Sequence, residues 1–172
     1  MLPCPVQNTA TFTSAWIQKR PRITQTFGKN PQIYKRFGMK GHNGIDYGIK
    51  VGTPIFSPIR GKVKVVDSGN KGYGLHVKIR DIYGREVVLA HLSHVFVKDG
   101  SEVHELDKVG LSGNTGFSTG PHLHFGFRRL KVDFKTPRFN WKVLDHSNGY
   151  YGYIDILPYT FTWKGTSLKS NL

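Results

Sequence analysis

Apolar residues in this chain fall in short alternating runs instead of long or helically spaced ones. In GLHVKIRD, Leu75, Val77 and Ile79 alternate with His76, Lys78 and Arg80. In GKVKVV, Val63 and Val65 alternate with Lys62 and Lys64. A period of two places each set on its own face of a strand, so both segments read as half-buried strands of an antiparallel sheet. On this reading His76 is a solvated histidine on the polar face. Further strands are predicted over residues 45–49, 53–57, 62–67, 75–81, 86–92, 108–112 and 122–129, with SGNKGYG and DIYGRE as hairpin connections. Between residues 41 and 133 no 3.6-residue apolar period lasts three turns. The expected fold is mainly β: a single domain.

The flanks are less regular. Residues 1–20 read as an N-terminal extension, and Pro21 opens a short extended run, RITQTFG. Residues 29–40 are basic, aromatic and broken by glycine, and they read as a loop, with Tyr34 and Phe37 as a candidate groove edge. Residues 21–133 are expected to form the core. Residues 134–172 read as a C-terminal appendage packed on it, with a hairpin around Asn148-Gly149 and a frayed tail.

Composition narrows the partners. The 25 Lys and Arg residues outnumber 11 Asp and Glu, a net charge of +14, which favours polyanions: nucleic acid, an anionic membrane surface or bacterial cell wall. No recognition helix, zinc finger or stacking platform accompanies the charge, so nucleic acid is not the expected partner. The single cysteine, Cys4, excludes an internal disulfide framework and a multi-cysteine metal site. No apolar run approaches the roughly 20 residues of a membrane span. The first residues lack a basic start followed by an apolar stretch, so no signal peptide is expected in this chain.

The eight histidines supply the candidate chemistry. On a strand, His122 and His124 of GPHLHFGF point to one face, about 6–7 Å apart, which suits a metal ligand beside a base. His42 and Asp46 of HNGID would stand about 13 Å apart on a straight strand, and Gly44 permits a bend that brings them together. Two imidazoles and a carboxylate make a zinc set with a fourth position open. His91 follows the apolar run VVLA, and His94 competes with it in the same segment. His104 and His146 lie in polar loop sequence. Spacing alone does not divide ligand from base among His91, His122 and His124. The loop SGNTGFSTGP lacks the lysine of a phosphate loop and reads as part of a groove wall, with Asn114 and Thr119 as candidate substrate contacts.

Three segments in order, GHNGIDYG, VVLAHLSH and GPHLHFGF, resemble the lysostaphin/LytM-type zinc endopeptidases, and the resemblance covers about residues 41–129. It implies a narrow groove floored by an antiparallel β-sheet and walled by loops. It implies Zn2+ as cofactor, with His42, Asp46 and His124 as metal ligands and His91 and His122 as catalytic residues. No His-Glu-x-x-His pattern is present, so a histidine would do the work that glutamate does in helical metalloproteases. The implied activity is hydrolysis of amide bonds in peptidoglycan stem peptides or cross-bridges, outside the cytoplasm, by a monomer. A phage lysin is one expected setting, and an inactive wall-binding or hydrolase-activating module of the same fold is the alternative. The excess positive charge then points to anionic wall polymers as further partners.

Overall fold

The computed structural model describes residues 21–133 and 140–157, so the expected N-terminal extension with Cys4 and the expected frayed tail lie outside the described residues. Eleven strands occur among the described residues: β1 (Arg22–Gln25), β2 (Ile45–Gly48), β3 (Pro54–Phe56), β4 (Gly61–Asp67), β5 (Leu75–Arg80), β6 (Arg85–Ala90), β7 (Leu92–Val95), β8 (Glu102–Val103), β9 (Lys108–Ser112), β10 (Leu123–Asp133) and β11 (Asn140–Val143). The large sheet runs β1-β2-β10-β6-β5-β4-β8, with β11 also paired to β10, and a second sheet runs β3-β9-β7. Every strand pairing among the described residues is antiparallel. The fold is mainly β, a single small domain.

Registers across the large sheet keep the same parity from strand to strand. Phe125 lies opposite Ile45 and Leu89, Leu89 opposite Val77, and Val77 opposite Val65. Odd-numbered residues of β2, β4, β5, β6 and β10 therefore enter one apolar cluster, joined by Ile55, Leu92 and Val109 from the smaller sheet. Even-numbered residues, Asp46, Lys78, Glu86, Val88, His124 and Arg128 among them, face the other way. A pleated strand enforces this division, since successive side chains leave opposite faces. The even face becomes the groove floor.

β10 carries this arrangement furthest. Its residues Leu123–Phe125 pair with β2, Leu130–Asp133 pair with β11, and His124–Arg129 pair with β6 along the opposite edge. The two flanking strands thus take turns along one edge of the longest strand.

Four expectations are corrected. The strand read over residues 86–92 is broken at His91, which has φ 61°, so β6 ends in the large sheet and β7 starts in the small one. A left-handed non-glycine residue cannot continue a pleated strand, and the chain turns there. His76 is buried, not solvated: its Nδ1 lies 2.9 Å from the Gly74 carbonyl and the Tyr73 ring packs edge-on against it. The "polar" face of β5 is a groove floor roofed by loops, which period two does not show. Residues 31–37 are not loop but one helical turn, α1 (Pro31–Tyr34), followed by a 3-10 turn over Lys35–Phe37. Pro31 pre-sets the first position, and Gly38 ends the turn at φ 71°. An element this short leaves no periodic trace. Asn148-Gly149 closes a 3-10 turn over His146–Asn148 instead of a hairpin. The Asn148 side chain accepts the backbone N–H groups of Tyr150 and Gly152, an Asx-type turn, and β11 pairs with β10 instead of a neighbour across that turn.

Candidate metal centre and groove

His42, Asp46 and His124 converge at the β2–β10 ladder. The register sets Asp46 opposite His124, and His42 reaches them from the segment just before β2. The His42 Nε2 to His124 Nδ1 distance is 2.9 Å, and Asp46 Oδ1 lies 3.0 Å from each nitrogen. All three residues are buried. His42 Nδ1 is 3.2 Å from the Thr26 carbonyl, so its N–H donates there and its Nε2 lone pair turns inward.

Gly44 enables the convergence differently from the expected bend. A Cβ there would sit 2.4 Å from the Phe125 carbonyl oxygen and 2.5 Å from His124 Cε1. The missing side chain is room for the His124 ring.

Charge and burial oppose one another at the cluster. Burial would raise the Asp46 carboxyl, but hydrogen bonds and charge from His124 and His42 hold it well below the usual carboxylate range. Burial pushes His124 down to about 4, against the pull of Asp46. Two imidazole nitrogens and a carboxylate oxygen this close form a donor set suited to a cation at their centre. The edges of a tetrahedron with metal–ligand bonds of about 2.0–2.1 Å are about 3.3 Å, so an adjustment of a few tenths of an ångström accommodates one.

Beside the cluster stand His91 and His122, ring centroids 4.5 Å apart. His91 Nδ1 lies 2.7 Å from the Thr115 carbonyl, and His122 Nδ1 lies 2.8 Å from that of Gly120. A carbonyl can only accept, so each Nδ1 donates there and each Nε2 is the ring nitrogen that no carbonyl engages. His122 Nε2 is 3.7 Å from Asp46 Oδ2. Burial, reinforced by the neighbouring His124 and His122, pushes His91 down to about 3. His94, the competing candidate, is exposed and packs on Phe96. His104 is exposed, and His146, also exposed, stacks on Tyr151 at the groove rim. Of the eight histidines and Asp46, the structure therefore brings His42, Asp46, His91, His122 and His124 together and leaves His94 and His104 apart.

Thr115 ties the loops to these rings. Its Oγ1 donates to the Leu92 carbonyl and accepts the Leu75 N–H, while its own carbonyl holds His91. Gly116 and Gly74 pack backbone to backbone, a Cβ on either falling within 2.5 Å of the other loop. Nothing in the sequence spacing marks Thr115 for this task.

The groove encloses about 540 Å³. Tyr34 and Phe37, expected at its edge, do line it. Tyr34 lies 5.4 Å from the His42 ring and accepts from Gln25 Nε2. Burial and the Asp46 charge push its phenol up to about 12, so it is a proton donor at ordinary pH. Tyr73 covers His124 at 5.0 Å and accepts from Asn43 Nδ2 at 2.6 Å. Tyr73 lies in the glycine-rich connection between β4 and β5, and only folding shows what it covers. Across the groove, Phe37 meets Phe117 edge-on, with Arg36 over both rings.

The sequence profile of peptidase family M23 matches residues 40–140, more than half of the chain. An uncharacterized metalloprotease of Haemophilus influenzae is 38% identical over 113 residues, 64% of this chain and 23% of that protein. The peptidoglycan DD-endopeptidase ShyA of Vibrio cholerae is 41% identical over 85 residues, 49% of this chain and 19% of that protein. The chain thus aligns with less than a quarter of the length of either relative. Among solved structures, the catalytic domain of the antimicrobial peptidase lysostaphin from Staphylococcus simulans superposes with a TM-score of 0.61 at 27% identity, covering 81% of this chain and 91% of that one. With the matched segment containing the whole His-Asp-His cluster and both flanking histidines, this chain belongs to peptidase family M23.

Proposed function

We propose that the protein is a zinc-dependent endopeptidase that hydrolyses amide bonds of peptidoglycan stem peptides or cross-bridges. The observation that carries this reading is the buried His42–Asp46–His124 triangle opening beside two imidazoles held through Nδ1 by backbone carbonyls. His42 Nε2, Asp46 Oδ1 and His124 Nδ1 hold the ion. When bound, zinc supplies Lewis-acid polarisation of the scissile carbonyl and lowers the pKa of water towards neutrality.

The remaining roles fall to this chain's own groups. In hydrolysis a water oxygen adds to the carbonyl carbon, the C–N bond breaks, and a proton reaches the departing amine. Either Nε2, of His91 or of His122, accepts the water's proton, and the protonated ring returns it to nitrogen. Fixing both rings by Nδ1–H donation to backbone carbonyls orients them before substrate arrives. The Tyr34 phenol stays protonated and offers an O–H to developing negative charge on the carbonyl oxygen. The loops over residues 113–121 and the helical turn at 31–37 position the peptide as groove walls.

The relatives' names support peptidoglycan as substrate, which places the reaction at the cell wall, outside the cytoplasm. Among the described residues no helix is long and apolar enough to cross a membrane. The net charge of +14 attracts the protein to anionic wall polymers, so added salt weakens wall binding. Within the chain, residues 21–133 act as the catalytic core and the C-terminal segment completes its groove. The test is clearance of purified cell walls followed by turbidity. Clearing that stops with a chelator and returns with zinc supports the reading. Chelator-insensitive clearing, or none with zinc on several wall types, overturns it.

A further inference from the structure

The groove floor does not end at the histidines. Moving along β10 from His124, the next residues on the same face are Gly126 and Arg128. Across the sheet, Val88 and then Lys78 stand level with Gly126, while Glu86 and then Arg80 stand level with Arg128. Lys78 and Arg128 line the same groove as the metal cluster.

Charge in this corner is out of balance. Glu86 is fully buried, taking Arg80 Nη2 at 2.7 Å and Arg128 at 2.6 Å. Lys64, level with Lys78 on β4, is paired with Asp99 at 2.9 Å. Lys78 is half-buried, and among the described residues no carboxylate lies within ion-pair distance of its ammonium. Among the described residues three cations thus share one carboxylate, leaving two positive charges in excess on a partly desolvated floor. Arg80 Nε is in addition a buried donor without an acceptor among the described residues.

Such a group is costly to the folded protein on its own. Burial and the neighbouring Arg128 lower the Lys78 pKa, the direction expected of an ammonium that lacks its counter-charge. An anion placed there would restore the balance and gain charge-assisted hydrogen bonds.

Resting on the peptidase reading above, we propose that Lys78, backed by the Arg80–Glu86–Arg128 cluster, is an anion subsite of the groove that takes a carboxylate of the peptide substrate. Strand geometry places Lys78 about 7 Å down the strands and about 10 Å across them from His124, about 12 Å in all. Three or four residues of extended peptide span that distance, at about 3.4 Å each. The subsite would favour carboxylate-bearing stem peptides over neutral oligoglycine bridges. A peptide lying in the groove reaches a half-buried ammonium on its floor, whereas a wall-polymer phosphate meets the exposed lysines first.

The experiment uses the full chain loaded with zinc and a cross-linked stem-peptide dimer in two forms, with free carboxylates and with those carboxylates amidated. Binding is read by calorimetry in the wild type, Lys78→Met and Lys78→Arg, with melting curves to verify folding. The expected result is about tenfold tighter binding of the carboxylate form by the wild type. Lys78→Met should lose that preference while Lys78→Arg keeps most of it. Equal binding of both forms by the wild type, or a preference that survives Lys78→Met, overturns the proposal. So does a glycerol-phosphate oligomer that displaces the carboxylate peptide at lower concentration than the peptide itself binds, which would assign the site to wall polymer. Cleavage of both forms at equal efficiency would sink the subsite and leave the endopeptidase reading standing. Carboxylate-selective binding without cleavage of either form would do the reverse.

Discussion

Leu123, Phe125 and Phe127 of β10 enter the apolar core, while His124, Gly126 and Arg128 of the same strand face the groove. Both faces are largely shielded from water, with Phe125 fully buried and His124 2% exposed. They are held by different physics. On the core face, stability follows apolar area and close packing, and each side chain contributes much the same way wherever it stands. On the groove face, each polar group depends on partners from other strands: His124 on Asp46 and His42, Arg128 on Glu86, His91 on Thr115. A desolvated polar group is costly unless it is paired. The groove face is therefore vulnerable to losing a partner, and the core face to losing volume.

Substitutions on the two faces should separate these modes, beginning with the greatest change. Asp46→Asn, nearly isosteric, should lower wall-clearing activity about a thousandfold or more and empty the site of metal by elemental analysis. The denaturation midpoint of the chelated protein should move far less than its activity does. Phe125→Ala on the opposite face should cost about 4 kcal/mol of stability by urea titration, while the metal bound per folded molecule is unchanged from the wild type. Glu86→Gln keeps the volume but leaves Arg80 and Arg128 without their carboxylate, and should cost about 3 kcal/mol in the same titration. A loss below about 0.5 kcal/mol there would contradict the dependence on pairing.

Gly44→Ala tests the point at which the two faces meet. The new methyl would collide with the His124 ring and the Phe125 carbonyl, and backbone cannot yield cheaply. Zinc affinity measured by competition with a chelating dye should fall about 10–100-fold, from displacement of a ligand that itself remains present. The smallest effect concerns His76. Burial lowers its folded pKa below the ordinary 6.5, so its neutral form is favoured in the folded state. Its contribution is complete above the unfolded pKa and is lost as pH falls towards the folded value. Stability measured at pH 7.5 and 5.5 should drop more in the wild type than in His76→Leu, by less than about 1 kcal/mol.

Several of these targets were visible before the structure. The strands at residues 45–49, 62–67, 75–81 and 108–112 match β2, β4, β5 and β9 within a residue or so, because alternation over four or more positions is a local signal. Other elements left no such trace. The turn at Pro31–Phe37 is too short for a period, and β11 is defined by pairing to β10. The break at His91 depends on a left-handed backbone that histidine rarely adopts, and nothing in VVLAHLSH announces it. Tyr73, which covers His124 from a loop, and Lys78, which looks like an ordinary solvated lysine on an alternating strand, were likewise illegible as groove residues, and Thr115, in a loop read as groove wall, gave no sign that its backbone carbonyl orients His91.

The β class, the parity that divides one strand face from the other, and the residue types able to hold a metal are all written in local spacing. Tertiary structure decided which of those residues meet. The β2–β10 register places Asp46 against His124, Gly44 leaves room for the ring, and the turn at His91 carries the chain between sheets beside His122. It also decided that the alternate face of β5 is a sheltered floor on which Lys78 stands with no carboxylate at ion-pair distance among the described residues. Period two says that two faces differ. What covers each face depends on residues far along the chain, and those contacts exist only once it has folded.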